Sequence, residues 1–110
     1  MTPRTLPPDL RRGQVWWANV DKRRPVLLLS RDRAYTVRGR ALVAEISTHL
    51  RFNDATVELG PRDGLPERCI VNAENLIALS LGKLVDYVTT LSPARMLNVC
   101  SAIAFATGCD

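Results

Sequence analysis

Short apolar runs, separated by polar segments rich in glycine, proline or arginine, make up most of the chain. Runs of this length are typical of strands, whereas an amphipathic helix shows apolar residues three and four positions apart. The pattern predicts strands over the segments 14–20, 26–29, 41–46, 56–59, 69–71, 76–79 and 84–91. The polar residues 72–75 interrupt the apolar pattern, and we expect one turn of 3₁₀ helix there.

The first two predicted strands differ in which faces are apolar. Because Trp16 and Trp17 are adjacent in a strand, they point to opposite faces, and we expect one in the core and the other at an interface or under a loop. The run 26–29 does not alternate, which predicts a strand covered on both sides. Pro25 precedes this run, at a strand position where the missing N–H is tolerated.

The end of the chain has the pattern of a helix. Ser92 suits an N-cap, Pro93 suits the first helical position, and Gly108 is placed to end the helix. One predicted face carries residues at helical spacing, which is more typical of a core than of a site: Met96, Val99, Cys100, Ile103 and Thr107. Strands followed by one helix predict a mostly β, α+β fold, namely a small antiparallel barrel with a C-terminal helix.

Composition limits the domain organisation and the location. A chain of 110 residues suits a single domain, and we expect a flexible N-terminal tail over 1–12 and one domain over 13–110. No apolar run approaches the ~20 residues that a membrane helix needs. The proline-containing N-terminus lacks the apolar segment of a signal peptide, and a cytoplasmic location is expected.

The charge distribution favours a polyanionic partner. The formal net charge is +4, and ten of the fifteen basic residues lie between positions 11 and 51. A one-sided basic face of this kind suits nucleic acid or an acidic protein. The ten residues are Arg11, Arg12, Lys22, Arg23, Arg24, Arg31, Arg33, Arg38, Arg40 and Arg51.

Several kinds of chemistry lack support in the sequence. Three cysteines without a CxxC spacing and a single histidine indicate neither a disulfide framework nor a zinc site. Buried free thiols are expected, with an exposed position as the alternative for Cys109 at the end of the chain. No glycine-rich nucleotide-binding motif occurs, so we expect no cofactor.

The remaining chemistry lies at the ends of two predicted strands. Arg24 precedes one strand, and Ser47 and Thr48 end another, with His49 beside them. RNA carries its own nucleophile, the 2′-OH, so a protein need only position the backbone, stabilise charge on the phosphate and manage two protons. A guanidinium can donate two N–H groups to phosphate oxygens, and a hydroxyl can donate a third hydrogen bond, so no metal is required.

Three segments carry a resemblance to a known family: Gly13-Gln14-Val15-Trp16-Trp17, Arg24-Pro25-Val26-Leu27-Leu28-Leu29-Ser30-Arg31-Asp32 and Ala41-Leu42-Val43-Ala44-Glu45-Ile46-Ser47-Thr48. In this order, and followed by 57–59, 71–76 and 91–96, they resemble the MazF/PemK toxins of type II toxin–antitoxin systems. The resemblance covers about residues 11–108.

The resemblance implies an SH3-like barrel that forms a homodimer and is blocked by an antitoxin protein. It further implies a sequence-specific, metal-independent endoribonuclease that cuts single-stranded RNA, either mRNA or transfer or ribosomal RNA. Such cleavage leaves 2′,3′-cyclic phosphate and 5′-OH ends and inhibits translation and growth. The catalytic positions of the family correspond to Arg24 and to Ser47 or Thr48. RNA-binding positions are expected at Lys22, Arg23, Arg31, His49 and Asn75, with Arg33, Arg38 and Arg40 as further basic residues that could steer RNA.

Some positions depart from the family pattern, and two other functions stay open. Ser47 stands where the family has threonine, Glu45 stands where a small residue or proline is usual, and the turn before Arg24 is short. His49 is a chemically suitable base, although the alternative is a solvated loop position. The alternatives are a CcdB-like toxin that binds DNA gyrase without catalysis, and a non-catalytic RNA-binding barrel.

Overall fold

Six antiparallel strands and a C-terminal helix form a half-barrel. A computed structural model describes residues 9–32 and 39–109. The elements in this part of the chain are β1 (Gln14–Asn19), β2 (Arg23–Leu28), β3 (Arg40–Ser47), β4 (Thr56–Leu59), β5 (Cys69–Ser80), β6 (Leu84–Thr90) and α1 (Pro93–Thr107). The strand order is β4-β5-β3-β2-β1-β6. The predicted mostly β fold with a C-terminal helix is therefore confirmed.

The sheet carries apolar residues on both faces. Leu27 and Leu29 belong to one buried cluster, which also includes residues of α1, and Val26 and Leu28 belong to another on the opposite face. The prediction of a strand covered on both sides is confirmed for 26–29. Burial on both faces anchors β2 in the middle of the sheet, so the beginning of β2 is held at a fixed place.

The first strand separates the two tryptophans as its alternation predicts. Trp16 is buried and its ring lies edge-on to Tyr87 at a centroid distance of 5.8 Å. Trp17 points to the other face and is only half-buried. One indole is therefore core, and the other remains accessible at the end of the sheet where β2 begins.

The prediction of a 3₁₀ turn over residues 72–75 is wrong. These residues belong to β5, which runs without a break from Cys69 to Ser80. The pairing with β3 jumps from Leu76 to Asn72 between adjacent β3 residues, so the extra residues form a bulge inside a continuous strand. A bulge and a turn both interrupt an apolar alternation, which is why the sequence does not separate them.

The helix begins and ends where the sequence predicts. The Ser92 hydroxyl accepts a hydrogen bond from the Arg95 N–H at 3.2 Å, Pro93 is the first helical residue, and Gly108 ends the helix with a φ of 72°. The buried line of α1 is Val99 and Ala102.

The cysteines are free thiols, and the expectation of burial is confirmed for Cys69 and wrong for Cys100. Cys69 is buried, whereas Cys100 and Cys109 are exposed. The sequence predicts Cys100 on the buried face of the helix, but it lies one residue, and therefore about 100°, away from Val99 around the helix axis. Its sulfur instead accepts a hydrogen bond from the Arg12 guanidinium at 3.0 Å.

The division into a tail over 1–12 and a domain over 13–110 stays a prediction. Of the predicted tail, the structure describes residues 9–12, and these contact the domain. The Arg12 backbone N–H donates to Asp32 Oδ1 at 2.8 Å, and its guanidinium contacts the Leu29 carbonyl. Within 9–32 and 39–109, no helix combines the length and the apolar character needed to cross a bilayer.

The loop between β4 and β5 is fixed against β6 and α1. Asp63 accepts hydrogen bonds from the Arg95 guanidinium at 2.8 Å and from the Gly60 N–H at 3.0 Å. Gly64 has a φ of 92°, and a Cβ there would lie 2.3 Å from the Thr89 hydroxyl oxygen, so a glycine is required. This anchoring positions the following residues, 65–67, beside the beginning of β2.

Candidate active site

The sheet register brings Arg24 and Ser47 together. In the β2–β3 ladder, Val26 pairs with Glu45 and Leu27 with Ala44. Two residues further along this register, Arg24 lies opposite Ser47. Both residues line two neighbouring hollows, and among the described residues they alone are common to the two linings. The Arg24–Ser47 pair therefore stands on the ridge between two cavities.

The first cavity, which we call the Trp17 hollow, has a volume of about 240 Å³. Besides Arg24 and Ser47, it is lined by residues from five parts of the chain: Trp17, Lys22, Arg23, Pro25, Ile46, Thr48, Leu65, Pro66, Glu67, Cys69 and Val88. Most of these side chains are apolar. The Trp17 hollow therefore offers an apolar surface directly beside a guanidinium.

The second cavity, which we call the Asn75 hollow, has a volume of about 270 Å³ and is strongly polar. It lies on the other side of the Arg24–Ser47 pair and is lined, besides them, by Glu45, His49, Arg51, Ile70, Asn72, Glu74 and Asn75. All but one of these seven side chains can make hydrogen bonds or carry charge.

Two carboxylates engage the Arg24 guanidinium. Its Nε donates to Asp21 Oδ1 at 2.9 Å and its Nη2 to Asp21 Oδ2 at 3.4 Å, while Nη1 lies 3.7 Å from Glu45 Oε1. The hydrogen bond from Arg24 lowers the pKa of Asp21 to about 2, and the same bond raises the pKa of Arg24. Arg24 therefore stays cationic and presents a planar fork that a carboxylate, and hence a phosphate, can occupy.

The Ser47 hydroxyl is oriented by the chain that follows it. Its oxygen accepts a hydrogen bond from the His49 backbone N–H at 3.0 Å. Because the oxygen is used as an acceptor in this turn, the hydroxyl hydrogen remains to be donated elsewhere. A hydrogen-bond donor next to a guanidinium fork is the arrangement that stabilises negative charge on a phosphate.

Comparison with known proteins identifies the family. The model of the family described as the PemK-like, MazF-like toxin of type II toxin–antitoxin systems matches residues 11–106. The chain belongs to the PemK/MazF toxin family. The resemblance predicted from the sequence is confirmed.

Individual relatives of this family come from mycobacteria. The probable endoribonuclease MazF5 of Mycobacterium tuberculosis is 39% identical over 102 residues, which cover 90% of this chain and 94% of the relative. The probable endoribonuclease MazF2 of the same species is 32% identical and is covered along 100% of its length. A mycobacterial endoribonuclease solved in complex with its cognate antitoxin superposes with a TM-score of 0.84 at 28% identity, covering 92% of this chain and 97% of that one.

The structure brings most of the PemK/MazF site residues predicted from the sequence to the two hollows. Lys22, Arg23 and Thr48 line the Trp17 hollow, and His49 and Asn75 line the Asn75 hollow. Their roles in catalysis and RNA binding stay predictions.

The remaining basic residues predicted to approach RNA lie elsewhere. Arg31 follows the far end of β2, and Arg40 begins β3 at the end opposite to Ser47, so neither lines a hollow. Arg33 and Arg38 lie outside the described residues.

Sequence reasoning missed the residues that complete the hollows. Leu65, Pro66 and Glu67 come from the β4–β5 loop, and Val88 comes from β6. Arg51, Asn72 and Glu74 complete the other cavity. Nothing in their local sequence separates them from ordinary surface residues, because only the pairing of distant strands places them beside Arg24.

Proposed function

We propose that this chain is the endoribonuclease toxin of a type II toxin–antitoxin pair, and that it cuts single-stranded RNA at the Arg24–Ser47 pair without a metal ion. The observation that supports this best is the convergence of a guanidinium fork and an oriented hydroxyl on one ridge between two cavities. A phosphodiester on that ridge has room for one nucleoside on each side.

The proposed reaction is an intramolecular transfer on the RNA. The 2′-oxygen forms a bond to phosphorus and loses its proton, the bond between phosphorus and the 5′-oxygen breaks, and that oxygen gains a proton. The products are a 2′,3′-cyclic phosphate and a 5′-OH. Arg24 and Ser47 donate hydrogen bonds to the non-bridging oxygens, which carry more negative charge in the transition state than in the substrate.

Two side chains of the Asn75 hollow are suited to accept the proton from the 2′-OH. Glu45 lies beside the Arg24 fork, and His49 follows the Ser47 turn. The two candidates are distinguished by removing each side chain in turn and measuring kcat. We expect His49→Ala to keep most of the activity and Glu45→Gln to lose it.

Relatives suggest the partners. Because the mycobacterial endoribonuclease was solved with its cognate antitoxin, we propose that this chain also binds an antitoxin, which covers the two hollows and blocks RNA. A homodimer and a cytoplasmic site of action, where mRNA is found, belong to the same proposal.

The deciding experiment is cleavage of a single-stranded RNA in the presence of EDTA, with the ends of the products mapped. We expect cuts that leave cyclic phosphate and 5′-OH ends. Arg24→Ala should lower kcat by a factor of about 10² to 10³, which is typical when one donor to a developing oxyanion is removed. Arg24→Lys keeps the charge but not the fork and should recover little activity.

The control for the arginine is Arg62→Ala, since Arg62 is exposed and lines neither hollow. This variant should cut like the wild type. RNA that stays intact at high protein excess would overturn the proposed function, and so would equal activity in the Arg24 and Arg62 variants.

A second pair of variants identifies the hydroxyl. Ser47 lines both hollows, whereas Thr48 lines the Trp17 hollow and is exposed. We therefore expect Ser47→Ala to lower kcat strongly and Thr48→Ala to change it little. The reverse result would assign the role to Thr48.

A further inference from the structure

The two hollows beside the Arg24–Ser47 pair differ in chemistry. The Trp17 hollow is mainly apolar and contains an aromatic ring, whereas the Asn75 hollow is almost entirely polar. A phosphodiester bound between them directs one nucleoside towards each hollow. The two bases that flank the cut therefore meet different surfaces, and the cavity with the aromatic ring is suited to a base.

The wall of the Trp17 hollow contains a stacked pair of planar groups. The Arg23 guanidinium carbon lies 5.1 Å from the centre of the Trp17 ring, within the range of a cation–π contact. Arg23 is kept in this place by an ion pair between its Nη2 and Asp86 Oδ2 at 2.6 Å. Aromatic rings and guanidinium planes are the surfaces on which proteins stack unpaired RNA bases.

The remaining lining of the Trp17 hollow includes apolar side chains and one carboxylate. Pro25 and Val88 are half-buried apolar side chains. Glu67 contributes the one carboxylate among the described residues of this lining, and it is exposed. A carboxylate accepts hydrogen bonds from the exocyclic amino groups of cytosine, adenine or guanine, whereas uracil has no such group.

We propose that the Trp17 hollow is the binding subsite for one of the two bases that flank the cut, that the base contacts Trp17 and Arg23, and that Glu67 favours a base with an amino group over uracil. The proposal rests on the proposed function, because it takes the cut phosphate to lie at the Arg24–Ser47 pair. It adds a position of base recognition and the residues responsible for it.

The first test removes a base from the RNA rather than a side chain from the protein. An RNA oligonucleotide with a mapped cut is compared with two copies in which one or the other flanking nucleotide is abasic. For the wild type, we expect one of the two copies to be cut with a kcat/KM lower by about tenfold or more, the range found when a stacking contact is lost. For Trp17→Ala, the intact and abasic copies should be cut at similar rates.

A matched control exists on the same protein. Phe52 also carries an arginine, Arg68, whose guanidinium carbon lies 5.2 Å from its ring centre, but Phe52 lines neither hollow. Phe52→Ala should show the wild-type response to the abasic copies. If Trp17→Ala and Phe52→Ala respond alike at both positions, the subsite does not involve Trp17 and the proposal is overturned.

The second test measures binding, so it does not depend on cleavage. An oligonucleotide with a 2′-deoxy nucleotide at the cut cannot react, and a base stacked on Trp17 should quench its fluorescence. In the wild type, we expect less quenching with the abasic copy than with the intact one. Trp17→Phe should show less quenching than the wild type. This variant keeps an aromatic ring and serves as the test if Trp17→Ala does not fold. Equal quenching with intact and abasic copies would contradict the proposal.

The third test concerns the amino group. Glu67→Gln should reduce the preference for cytosine, adenine or guanine over uracil at the affected position by about tenfold. Asp54→Asn, an exposed acid-to-amide change outside both hollows, should leave the preference unchanged. An unchanged preference in Glu67→Gln would overturn the assignment of Glu67. Wild-type protein that cuts no RNA would instead overturn the proposed function.

Discussion

At the scale of single residues, Arg24, the proposed phosphate contact, already lies beside two carboxylates. Asp21 occupies two of the guanidinium nitrogens, and Glu45 lies near the third. The geometry that Asp21 satisfies is the one a phosphate would use, so an RNA phosphate bound to Arg24 as proposed would displace an internal carboxylate. Without RNA, the fork is therefore covered by its own neighbour in the chain.

Asp21→Asn should strengthen RNA binding. The change removes a competitor for the Arg24 fork and a negative charge next to the phosphate, and we expect a few-fold lower Kd for an oligonucleotide with a 2′-deoxy nucleotide at the cut. Asp54→Asn is the matched control and should not change the Kd. Weaker binding in Asp21→Asn would mean that Asp21 positions Arg24 rather than competing with RNA.

The effect of Asp21→Asn should not depend on pH in the usual working range. Because the pKa of Asp21 is lowered to about 2, its carboxylate is charged at about pH 4 and above. The ratio of wild-type to variant Kd should therefore be constant from about pH 5 to pH 8 and should fall only when the pH approaches the lowered pKa.

The three cysteines should react differently with a thiol reagent. Burial raises the pKa of Cys69 to about 11, so this thiol is both inaccessible and protonated at about pH 8. Iodoacetamide should modify Cys100 and Cys109 in the folded protein and Cys69 only after denaturation, as mass spectrometry of peptides would show. Modification of native Cys69 at the rate of the other two would contradict the buried position.

The Cys69 thiol also determines how the free energy of unfolding changes with pH in the alkaline range. Between the ordinary pKa of 9.0 and the raised pKa of about 11, the folded state binds more protons than the unfolded state. The free energy of unfolding therefore falls as the pH rises through this range. Cys69→Ser or Cys69→Ala should remove that part of the pH dependence.

The sequence could predict the residues whose chemistry is local and not those that depend on strand pairing. Pro25 marks the beginning of a strand and thereby the place of Arg24, and the hydroxyl pair marks the end of another. The choice between Ser47 and Thr48 needs the register, because a shift of one residue exchanges the two faces of a strand. Glu67 has no local signal, since its neighbours in the Trp17 hollow are distant in sequence.

At the scale of elements, the β4–β5 loop is the part of the site that depends on a single glycine. The dense turn signal of residues 60–64 is visible in the sequence. The packing of this turn against Thr89 of β6 is not visible in the sequence, because no residue of the turn indicates which distant segment it will contact. The loop places Leu65 and Glu67 in the Trp17 hollow, so under the proposed base subsite its conformation matters for RNA binding as well as for folding.

Gly64→Ala should destabilise the protein by about 2 kcal/mol or more, because a positive φ is unfavourable for alanine and the new methyl group meets the Thr89 side chain. Chemical denaturation would measure the loss. Gly39→Ala is the control, since Gly39 also has a positive φ but a Cβ added there would lie within 4 Å of no other atom among the described residues. Equal losses in the two variants would show that contact with Thr89 does not matter.

At the scale of the whole molecule, the fold gathers basic residues at one end of the sheet. Lys22, Arg23 and Arg24 lie in or beside the Trp17 hollow, and Arg51 lies in the Asn75 hollow. With a net charge of +4, the protein should attract RNA over a distance that salt screens. The excess of basic residues is visible in the sequence, but which of them lie at each hollow can be seen only from the fold.

RNA binding should weaken linearly on a plot of log K against log salt concentration. Each phosphate contact with single-stranded RNA contributes about −0.7 to the slope, so Arg24→Ala should make the slope less steep by about that amount. Arg62→Ala should leave it unchanged. An Arg24 variant with the wild-type slope would indicate that Arg24 does not contact a phosphate.

The strand order has a consequence for the synthesis of the protein. β1 pairs with β6, so Gln14 lies next to Thr90, and β3 needs β5 as its other neighbour. A chain still attached to the ribosome cannot complete both pairings until residue 90 has left the exit tunnel, and the Trp17 hollow lacks Val88 until then. We therefore expect that an unfinished or truncated chain, which lacks this pairing and part of the Trp17 hollow, does not cut RNA.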